Sequence, residues 1–477
     1  MKNLCFNECH FFEKEENCFL FIIRSLQLYS LDRETYETVK SMYGQHPAGT
    51  IFERRKTTLI GDLLDAGILC TSEEWEEEQR QIAQAVERSE TRSQEKKTVA
   101  ISNIVLQVAN DCNLNCKYCY GSGGSYGRKR ELMSFDVARK GIDYMVANRG
   151  EQTRLRITFF GGEPLLNFEL IKKCIAYCET LEKKHGITFG YSMTTNGTIV
   201  SDEILAYIKK YRFSLLVSMD GGKETQDCYR CFVEGKGSFD IIQPNLAAFK
   251  EANGGRLSVR ATVCKPKMDM VAIRKELTEL GFDNVIMSMV DTDSGSSLFL
   301  GNDTEEMILQ YDRLAKALIC DAKAGKPINN TFFNEILRKL YYKALSVKGC
   351  NAGSTGFAIG SDGAFYPCHR YMGMEDYICG NVDDGIDVEK TKIFDHVSVL
   401  EKADCKECWA RFLCGGGCSN ICVTQTGDVM KAPECYCDIY RGIYEIMLHM
   451  YYELKQWDDQ YFRNLLDKDK DIVATVK

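Results

Sequence analysis

The chain has 477 residues, of which 44% are hydrophobic and 27% charged, and its formal net charge is -8. This length predicts a large core divided among several domains, and the negative charge disfavours nucleic acid as a partner. No segment approaches the roughly 20 consecutive apolar residues of a membrane-spanning helix, and the charged start of the chain does not resemble a secretion signal. We therefore expect a cytoplasmic protein with no membrane partner.

Cysteine is over-represented, with 23 residues in a chain too long to need disulfide staples. In a reducing compartment, clustered cysteines indicate metal, whereas scattered ones are interpreted as small buried apolar side chains. The scattered set is Cys70, Cys174, Cys178, Cys264 and Cys320. Two further groups do not have the regular spacing of a metal motif. Cys5, Cys9, His10 and Cys18 are a possible metal site, and Cys228 and Cys231 form a C-x2-C pair that is adventitious by default.

Residues 1–71 predict a small α+β module. Cys18 to Tyr29 has strand composition, residues 33–43 predict a helix, and a second helix carries Leu59, Leu63, Leu64 and Ile68 on one face. Residues 72–98 are highly charged and predict an exposed helical linker.

Between residues 99 and 292, apolar strands alternate with amphipathic helices, which is typical of βα units on a parallel sheet. The strands are expected to begin near Ile101, Arg156, Thr188, Phe213, Leu257 and Asn284. The helices are expected at 135–148, 166–185, 202–210, 239–251 and 269–280. Six such units predict an α/β fold with a partial (β/α)6 barrel. A helical bridge (293–349), a cysteine-rich module (350–438) and a final helix with its tail (439–477) follow.

The first cysteine group, Cys112-x3-Cys116-x2-Cys119, follows the first barrel strand. Barrel enzymes place their chemistry at this carboxyl end of the strands. Three thiolates leave one iron of a 4Fe-4S cubane free to chelate a small molecule through an amine and a carboxylate. A structural zinc site is the alternative, although zinc normally takes a fourth Cys or His ligand.

This run resembles the signature of the radical S-adenosylmethionine (radical SAM) superfamily. The resemblance implies that the cluster reduces S-adenosylmethionine to methionine and a 5'-deoxyadenosyl radical, which abstracts hydrogen from a substrate. Motifs after successive strands match the family's cofactor-binding positions. The residues that the resemblance assigns to the cofactor are Tyr118, Gly161, Gly162, Glu163, Asn196, Ser218 and Asp220.

Seven further cysteines lie between residues 350 and 437 and predict at least two multi-thiolate sites, of zinc or iron-sulfur type. Their pattern resembles the SPASM extension, which implies two auxiliary 4Fe-4S clusters and three clusters in all. By that resemblance the inner cluster is held by Cys350, Cys368 and Cys418. The outer one is held by Cys405, Cys408, Cys414 and Cys437.

Several neighbours of these cysteines leave the ligand sets open. Cys379 is a candidate fourth ligand of the inner cluster, and Cys422 is an additional thiol with no assigned role. Cys435 competes with Cys437, which is favoured because it directly precedes the expected final helix. Asp362 and His369 flank this site, and two interpretations stay open for them: they transfer a proton, or they are ordinary polar side chains on the surface.

The amino-terminal module resembles the winged-helix-like recognition element of enzymes that mature ribosomally synthesised peptides. There, a leader peptide adds a strand to a sheet edge, which Cys18 to Tyr29 would supply; an oligomerisation or structural role is the alternative. The stretch 121–135 and the later Phe-Phe-Gly-Gly-Glu-Pro-Leu resemble maturases of six-cysteines-in-forty-five-residues peptides.

These resemblances imply a sactipeptide or ranthipeptide synthase that joins a cysteine sulfur to a carbon of another residue in a precursor peptide. They also imply an electron donor such as flavodoxin or ferredoxin. The alternatives are other radical maturation, such as carbon-carbon crosslinking, epimerisation or sulfatase activation, and, more remotely, a non-catalytic metal-binding adaptor.

Overall fold

A computed structural model of the protein describes residues 3–52, 57–292 and 295–467. The tail predicted beyond residue 467 lies outside the described residues. Within these ranges the strands are β1 (Leu4–Phe6), β2 (Cys9–Lys14), β3 (Asn17–Ile22), β4 (Gln27–Leu31), β5 (Leu69–Thr71), β6 (Asn103–Ala109), β7 (Arg154–Gly161), β8 (Thr188–Thr195), β9 (Ser214–Ser218), β10 (Ser258–Val263), β11 (Asn284–Met289), β12 (Gly356–Ile359), β13 (Phe365–Tyr366), β14 (Gly380–Asn381) and β15 (Gly385–Ile386).

The α-helices of the same ranges are α1 (Arg33–Gln45), α2 (Thr58–Asp65), α3 (Ser72–Glu95), α4 (Phe135–Ala147), α5 (Phe168–His185), α6 (Asp202–Tyr211), α7 (Lys223–Tyr229), α8 (Phe239–Ile242), α9 (Leu246–Ala252), α10 (Met270–Glu279), α11 (Thr304–Lys323), α12 (Thr331–Tyr342), α13 (Val388–Thr391), α14 (Ala403–Lys406), α15 (Arg411–Cys414), α16 (Ser419–Thr426), α17 (Glu434–Trp457) and α18 (Asp459–Asp467). Short 3-10 helices span Pro164–Asn167, Gln243–Asn245, His369–Tyr371, Glu375–Tyr377 and Lys392–Asp395.

The main sheet has eight strands in the order β11-β10-β9-β8-β7-β6-β12-β13. Strands β6 to β11 are parallel, which confirms the predicted α/β fold with a partial six-unit barrel. Strand β12 continues the sheet in parallel beside β6, with Gly356 opposite Asn103, and β13 then runs antiparallel to β12. The cysteine-rich module is therefore built directly onto the barrel's first strand.

Side-chain alternation and helix caps explain why these segments adopt barrel structure. In β10, Val259, Ala261 and Val263 are completely buried in the core, and Arg260 between them lies on the opposite face of the strand. Helices α4 and α6 begin after Ser134 and Ser201, whose hydroxyls accept hydrogen bonds from the first turn. Each cap satisfies an amide that would otherwise lack a partner at the start of the helix.

Four expectations differ from the structure in detail. The expected strand from Cys18 to Tyr29 is a hairpin, because a turn around Leu26, with positive φ, separates β3 from β4. Strand β3 is consequently central, and β4 is an outer strand of that sheet. The expected helix 239–251 is interrupted at Pro244, since proline lacks the N–H that a continuous helix requires.

The other two differences concern the carboxyl-terminal half. The final helix begins at Glu434, after Pro433, and not at residue 439, so the segment 434–438 is helical and Cys437 lies inside the first turns of α17. Cys320, interpreted as buried, is exposed on α11. None of the helices in the described part of the chain combines the length and apolar composition needed to cross a membrane.

The amino-terminal module packs directly against the cysteine-rich module. The Arg411 guanidinium, whose side chain is only 4% exposed, donates to the Glu8 carboxylate. The His10 ring stacks on Trp409 with centroids 3.8 Å apart, and its Nε2 lies 2.8 Å from Glu445. His10 is therefore engaged in an interdomain contact, and the structure does not bring it together with Cys5 and Cys18 as a metal site.

Candidate active site

The first cysteine group lies on the loop that follows β6, and backbone hydrogen bonds hold this loop in place. The amides of Asn115 and Lys117 donate to the carbonyls of Cys231 and Tyr229 at 2.8 and 2.9 Å. The end of α7 and the residues that follow it therefore support the loop through backbone hydrogen bonds. Sequence reasoning missed both α7 and this role of the C-x2-C region.

The three thiols of this loop lie close to one another. Burial raises the pKa of Cys112 to about 12, and the neighbouring Cys116 adds to the shift. Burial also raises the pKa of Cys116, while the Arg230 guanidinium opposes the shift and Cys119 adds to it. Because such thiols remain protonated when free, a bound metal is what would favour the thiolate form.

Two consecutive glycines form a close-packed turn at the end of β7. A Cβ on Gly161 would lie 2.3 Å from the carbonyl oxygen of Ala109, and one on Gly162 would lie 2.1 Å from that of Asp111. The φ of Gly161 is 141°, a value that side-chain-bearing residues rarely adopt. Only glycine permits the backbone of this motif to approach the cysteine loop so closely.

The next residue, Glu163, is fully buried and joins the second and third strand-end motifs. Its carboxylate accepts hydrogen bonds from the amides of Leu165 and Asn196 at 3.0 and 2.7 Å, and from the Thr195 hydroxyl at 2.9 Å. The Asn196 side chain in turn reaches Cys112 Sγ at 3.7 Å. Burial raises the pKa of Glu163 to about 7.

Tyr118 is held by a buried charged pair. Its hydroxyl donates to Asp220 Oδ2 at 2.5 Å and accepts from Arg230 at 2.7 Å. Asp220 also accepts from the amide of Thr262 at 2.9 Å, and Ser218 lies opposite Arg260 in the β9–β10 register. Arg230, which sequence reasoning missed, keeps a buried Nε without a hydrogen-bond partner.

Two of the cysteines assigned to the inner auxiliary site, Cys368 and Cys418, lie near Tyr371, and the third, Cys350, lies near Cys418. The pKa of Tyr371 is raised mainly by burial, and also by the nearby thiols of Cys418 and Cys368. Burial raises the pKa of Cys418, and Cys350 contributes to the shift. The structure therefore brings Cys350, Cys368 and Cys418 into one neighbourhood.

The four cysteines assigned to the outer site also lie together. Burial raises the pKa of Cys437 to about 12, and the thiols of Cys414, Cys405 and Cys408 add to the shift. Cys435 lies elsewhere, because its Sγ is 3.1 Å from the position that a Cβ on Gly301 would take. This geometry favours Cys437 over Cys435 as the outer ligand, although Cys437 lies within the helix and not before it.

Cys379 does not join the inner set. Its buried Sγ donates to the carbonyl oxygen of Phe365 at 3.4 Å, and the charged groups that influence its pKa are Lys390 and Asp387. The Cys379 thiol, which was the candidate fourth ligand, therefore packs against β13.

Asp362, one of the two polar residues expected beside this site, forms an ion pair with Arg128.

A mouth of polar residues separates the first cysteine loop from the inner set. Tyr120 directly follows Cys119, and its side chain is 39% exposed at this mouth. The Arg370 guanidinium lies 4.2 Å from the centroid of the Tyr120 ring and pairs with Asp291. Sequence reasoning missed Tyr120, Arg370 and Asp291, although Asp291 follows β11 at the expected end of the barrel.

His369 and Arg260 complete this mouth. Burial lowers the pKa of His369 to about 4, and the Arg260 charge contributes to this shift. The imidazole is therefore neutral near pH 7. Its ring centroid lies 4.7 Å from that of Phe160, at the end of β7.

The model of the radical SAM superfamily matches residues 106–279, which include the first cysteine loop and the next strand-end motifs. This segment is similar to a radical SAM domain. An uncharacterized protein of Methanocaldococcus jannaschii is 35% identical over 138 residues, which are 29% of this chain and 45% of that protein.

Two longer matches extend beyond the radical SAM domain. A cysteine-type anaerobic sulfatase-maturating enzyme of Clostridium novyi is 25% identical over 67% of this chain and 88% of its own length. A radical SAM cyclopropyl synthase of Paramaledivibacter caminithermalis is 23% identical over 72% of each chain.

Solved structures share the fold. Native anSMEcpe with bound AdoMet has a TM-score of 0.64 and 20% identity, covering 75% of this chain and 99% of that one. Native anSMEcpe with AdoMet and the Cp18Cys peptide has a TM-score of 0.62 and 19% identity, covering 78% and 100%. Both likenesses concern the fold.

The residues of the radical SAM domain fit the cofactors that this superfamily uses. Three thiols offer an incomplete ligand set for a cubane, the glycine turn packs its backbone directly against the cysteine loop, and the buried Nε of Arg230 lacks a partner. Thiolates around a single zinc lie about 3.8 Å apart. Among the described residues, one group of three ligand atoms lies within 4.8 Å of one another, and it consists of Glu15, His449 and Glu453. The sulfur atoms of each cysteine set are therefore spaced more widely than a single zinc ion requires.

Proposed function

We propose that this protein is a radical S-adenosylmethionine enzyme that modifies a residue within a peptide or protein. The observation that carries the proposal is a contact between the two cysteine groups: Tyr120, which follows Cys119 of the first loop, stacks with Arg370, which lies two residues after Cys368 of the inner set. A substrate in the mouth beside Tyr120 would be flanked by both sites. The names of the sulfatase-maturating and cyclopropyl-forming relatives support the same class of reaction.

In this proposal each element of the site has a separate task. When bound, the 4Fe-4S cluster and S-adenosylmethionine supply a hydrogen-abstracting radical. Cys112, Cys116 and Cys119 would hold the cluster. The backbone of the turn at Gly161 and Gly162 would receive the amino group of S-adenosylmethionine, and the rest of the cofactor would contact Asn196, Ser218 and Asp220. Glu163 and Tyr118 fix the geometry of these motifs, and the barrel wall excludes water.

Thioether formation in a precursor peptide is the specific reaction that we favour within this class. The inner set contains three cysteines, and the thiol that was the candidate fourth ligand donates to Phe365 instead. Three ligands leave one iron open, and an open iron can accept a substrate thiolate. The amino-terminal module supports a peptide substrate, since β4 is an outer strand to which a leader could add.

The cofactor content tests the first part of this proposal. Three 4Fe-4S clusters bring about twelve irons per chain, with flavodoxin, ferredoxin or dithionite as the electron donor. We expect anaerobically purified protein to release 5'-deoxyadenosine on reduction with S-adenosylmethionine. The variant C112A/C116A/C119A should lose about four irons and all of this product. Normal product formation by that variant would refute the assignment.

The modified product tests the second part. Short open reading frames beside the gene are co-expressed with the enzyme, and each peptide is analysed by mass spectrometry. A thioether removes two hydrogens and protects one cysteine from iodoacetamide, whereas a carbon-carbon crosslink removes two hydrogens and leaves every cysteine reactive. Epimerisation leaves the mass unchanged in H2O but incorporates deuterium in D2O. A product whose cysteines all react would exclude thioether formation while preserving the broader class.

A further inference from the structure

Lys402 is a completely buried lysine beside the auxiliary cysteines, with 0% of its surface exposed. Its ammonium donates to the carbonyl oxygen of Gly416 at 3.2 Å and to Cys422 Sγ at 3.1 Å. Among the described residues, no carboxylate forms an ion pair with it. A buried charge is costly unless an opposite charge compensates it, so this ammonium requires a negative partner.

The position of Lys402 connects the outer and inner cysteine sets. Its backbone carbonyl accepts the amide of Cys405 at 3.0 Å and so closes the turn that carries this outer cysteine. Its ammonium reaches Gly416, midway along the chain between Cys414 of the outer set and Cys418 of the inner set. The lysine therefore lies where the two sets meet in the sequence and in the fold.

Burial at Cys405 gives a second indication of this proximity. Both Cys405 and Lys402 are buried, and they lie on the same hydrogen-bonded turn. Negative charge on this outer-set sulfur would therefore be stabilised by the buried ammonium. Cys422, whose side chain is only 2% exposed, shields the other side of the ammonium from water.

A thiolate-ligated 4Fe-4S cluster carries net negative charge, and each added electron makes it more negative. A cation buried beside it favours the reduced state, because the Coulomb interaction is strong where water is excluded. The positive charge of the Lys402 ammonium, which pairs with no carboxylate among the described residues, would therefore compensate the negative charge that a cluster gains on reduction.

We propose that Lys402 is the buried counter-cation of the auxiliary clusters and raises the reduction potential of at least one of them. This inference rests on the auxiliary clusters of the proposed function. The step concerned is a one-electron reduction of the cluster by a low-potential donor, such as reduced flavodoxin, without bond formation or proton transfer at Lys402. Lys402 acts on the cluster and does not touch the substrate.

The test is a redox titration followed by electron paramagnetic resonance in the C112A/C116A/C119A background, which retains the auxiliary sites. K402M and K402Q both remove the charge, and K402R keeps it. K343M is the matched control, because the Lys343 ammonium also donates to a backbone carbonyl, that of Leu26 at 2.8 Å, in another part of the fold.

We expect K402M and K402Q to lower the ratio of reduced to oxidised cluster about tenfold at a given potential, which is about 59 mV for a one-electron couple. K402R and K343M should stay near the unmodified value. An unchanged potential in both neutral variants with full iron content would overturn the inference. Loss of an auxiliary cluster from both would also overturn it, by assigning the lysine to assembly. If the unmodified protein contained only about four irons, the proposed cofactor content would fail first, which distinguishes the two failures.

Discussion

Replacing Glu163 with glutamine tests the buried link between the second and third strand-end motifs. The two carboxylate oxygens accept three hydrogen bonds, from the amides of Leu165 and Asn196 and the hydroxyl of Thr195. At pH 5.5 the buried side chain is a neutral carboxylic acid, and both of its oxygens can still accept these bonds. An amide has one acceptor oxygen, so E163Q must direct its NH2 group at a donor. An unsatisfied buried donor costs about 1–3 kcal/mol, and we expect this loss in the free energy of unfolding at pH 5.5.

The loss should shrink as the pH rises. Burial raises the pKa of Glu163 to about 7 from an ordinary 4.5, so the folded protein binds the proton more tightly than the unfolded chain. The stability that this proton contributes is complete below pH 4.5 and disappears as the pH rises through about 7. At about 1.4 kcal/mol per pKa unit, the unmodified protein loses about 2 kcal/mol of this contribution between pH 5.5 and pH 8.5. E163Q has no such titration.

The measurement is urea unfolding of cluster-free protein by circular dichroism at pH 5.5, 7 and 8.5. The matched control is E169Q, because Glu169 has a side chain that is 74% exposed and pairs with Lys172. That exposed pair should contribute less than about 0.5 kcal/mol at every pH. A gap between E163Q and unmodified protein that widens with pH would refute the reasoning.

Three further predictions concern the glycine turn, the tyrosine support and the domain contact. G162A should abolish S-adenosylmethionine binding in calorimetry, since its Cβ would lie 2.1 Å from a backbone oxygen of the cysteine loop, whereas G190A, with its nearest such contact at 4.0 Å, should bind normally. D220N should weaken the same binding about tenfold, about 1.4 kcal/mol, because it loosens the buried tyrosine; unchanged affinity would contradict this role. E8Q should destabilise the docked amino-terminal module by about 3–5 kcal/mol, because it leaves a buried arginine unpaired, and should speed its proteolysis; E13Q, at a side chain 41% exposed, should not.

Much of the barrel could be predicted from local sequence. Strand starts near Thr188 and Asn284 agree with the structure, because apolar runs between capped helices specify parallel strands whatever their neighbours are. The first cysteine loop could also be located, since its position follows from the end of β6. The hairpin in the amino-terminal module was missed, because the turn at Leu26 contains no glycine or proline to mark it.

The electrostatic parts of the site depend on tertiary packing and could not be predicted in this way. Arg230 supports Tyr118 across more than one hundred residues of sequence, and Arg370 meets Asp291 only because two modules share a sheet. Nothing local to Cys379 indicates that β13 would sequester its thiol. Spacing locates candidate ligands, whereas exclusion of one candidate requires the packed structure.

The contact between His10 and Trp409 has a consequence for protein engineering. Trp409 lies directly after Cys408, so the ring on which the amino-terminal sheet rests belongs to the same turn as an outer-set sulfur. Residues 1–71 are therefore not an interchangeable cassette. A chimera that carries a different amino-terminal module must transplant the Trp409 turn with it, or the exchange will disturb the turn that holds Cys408.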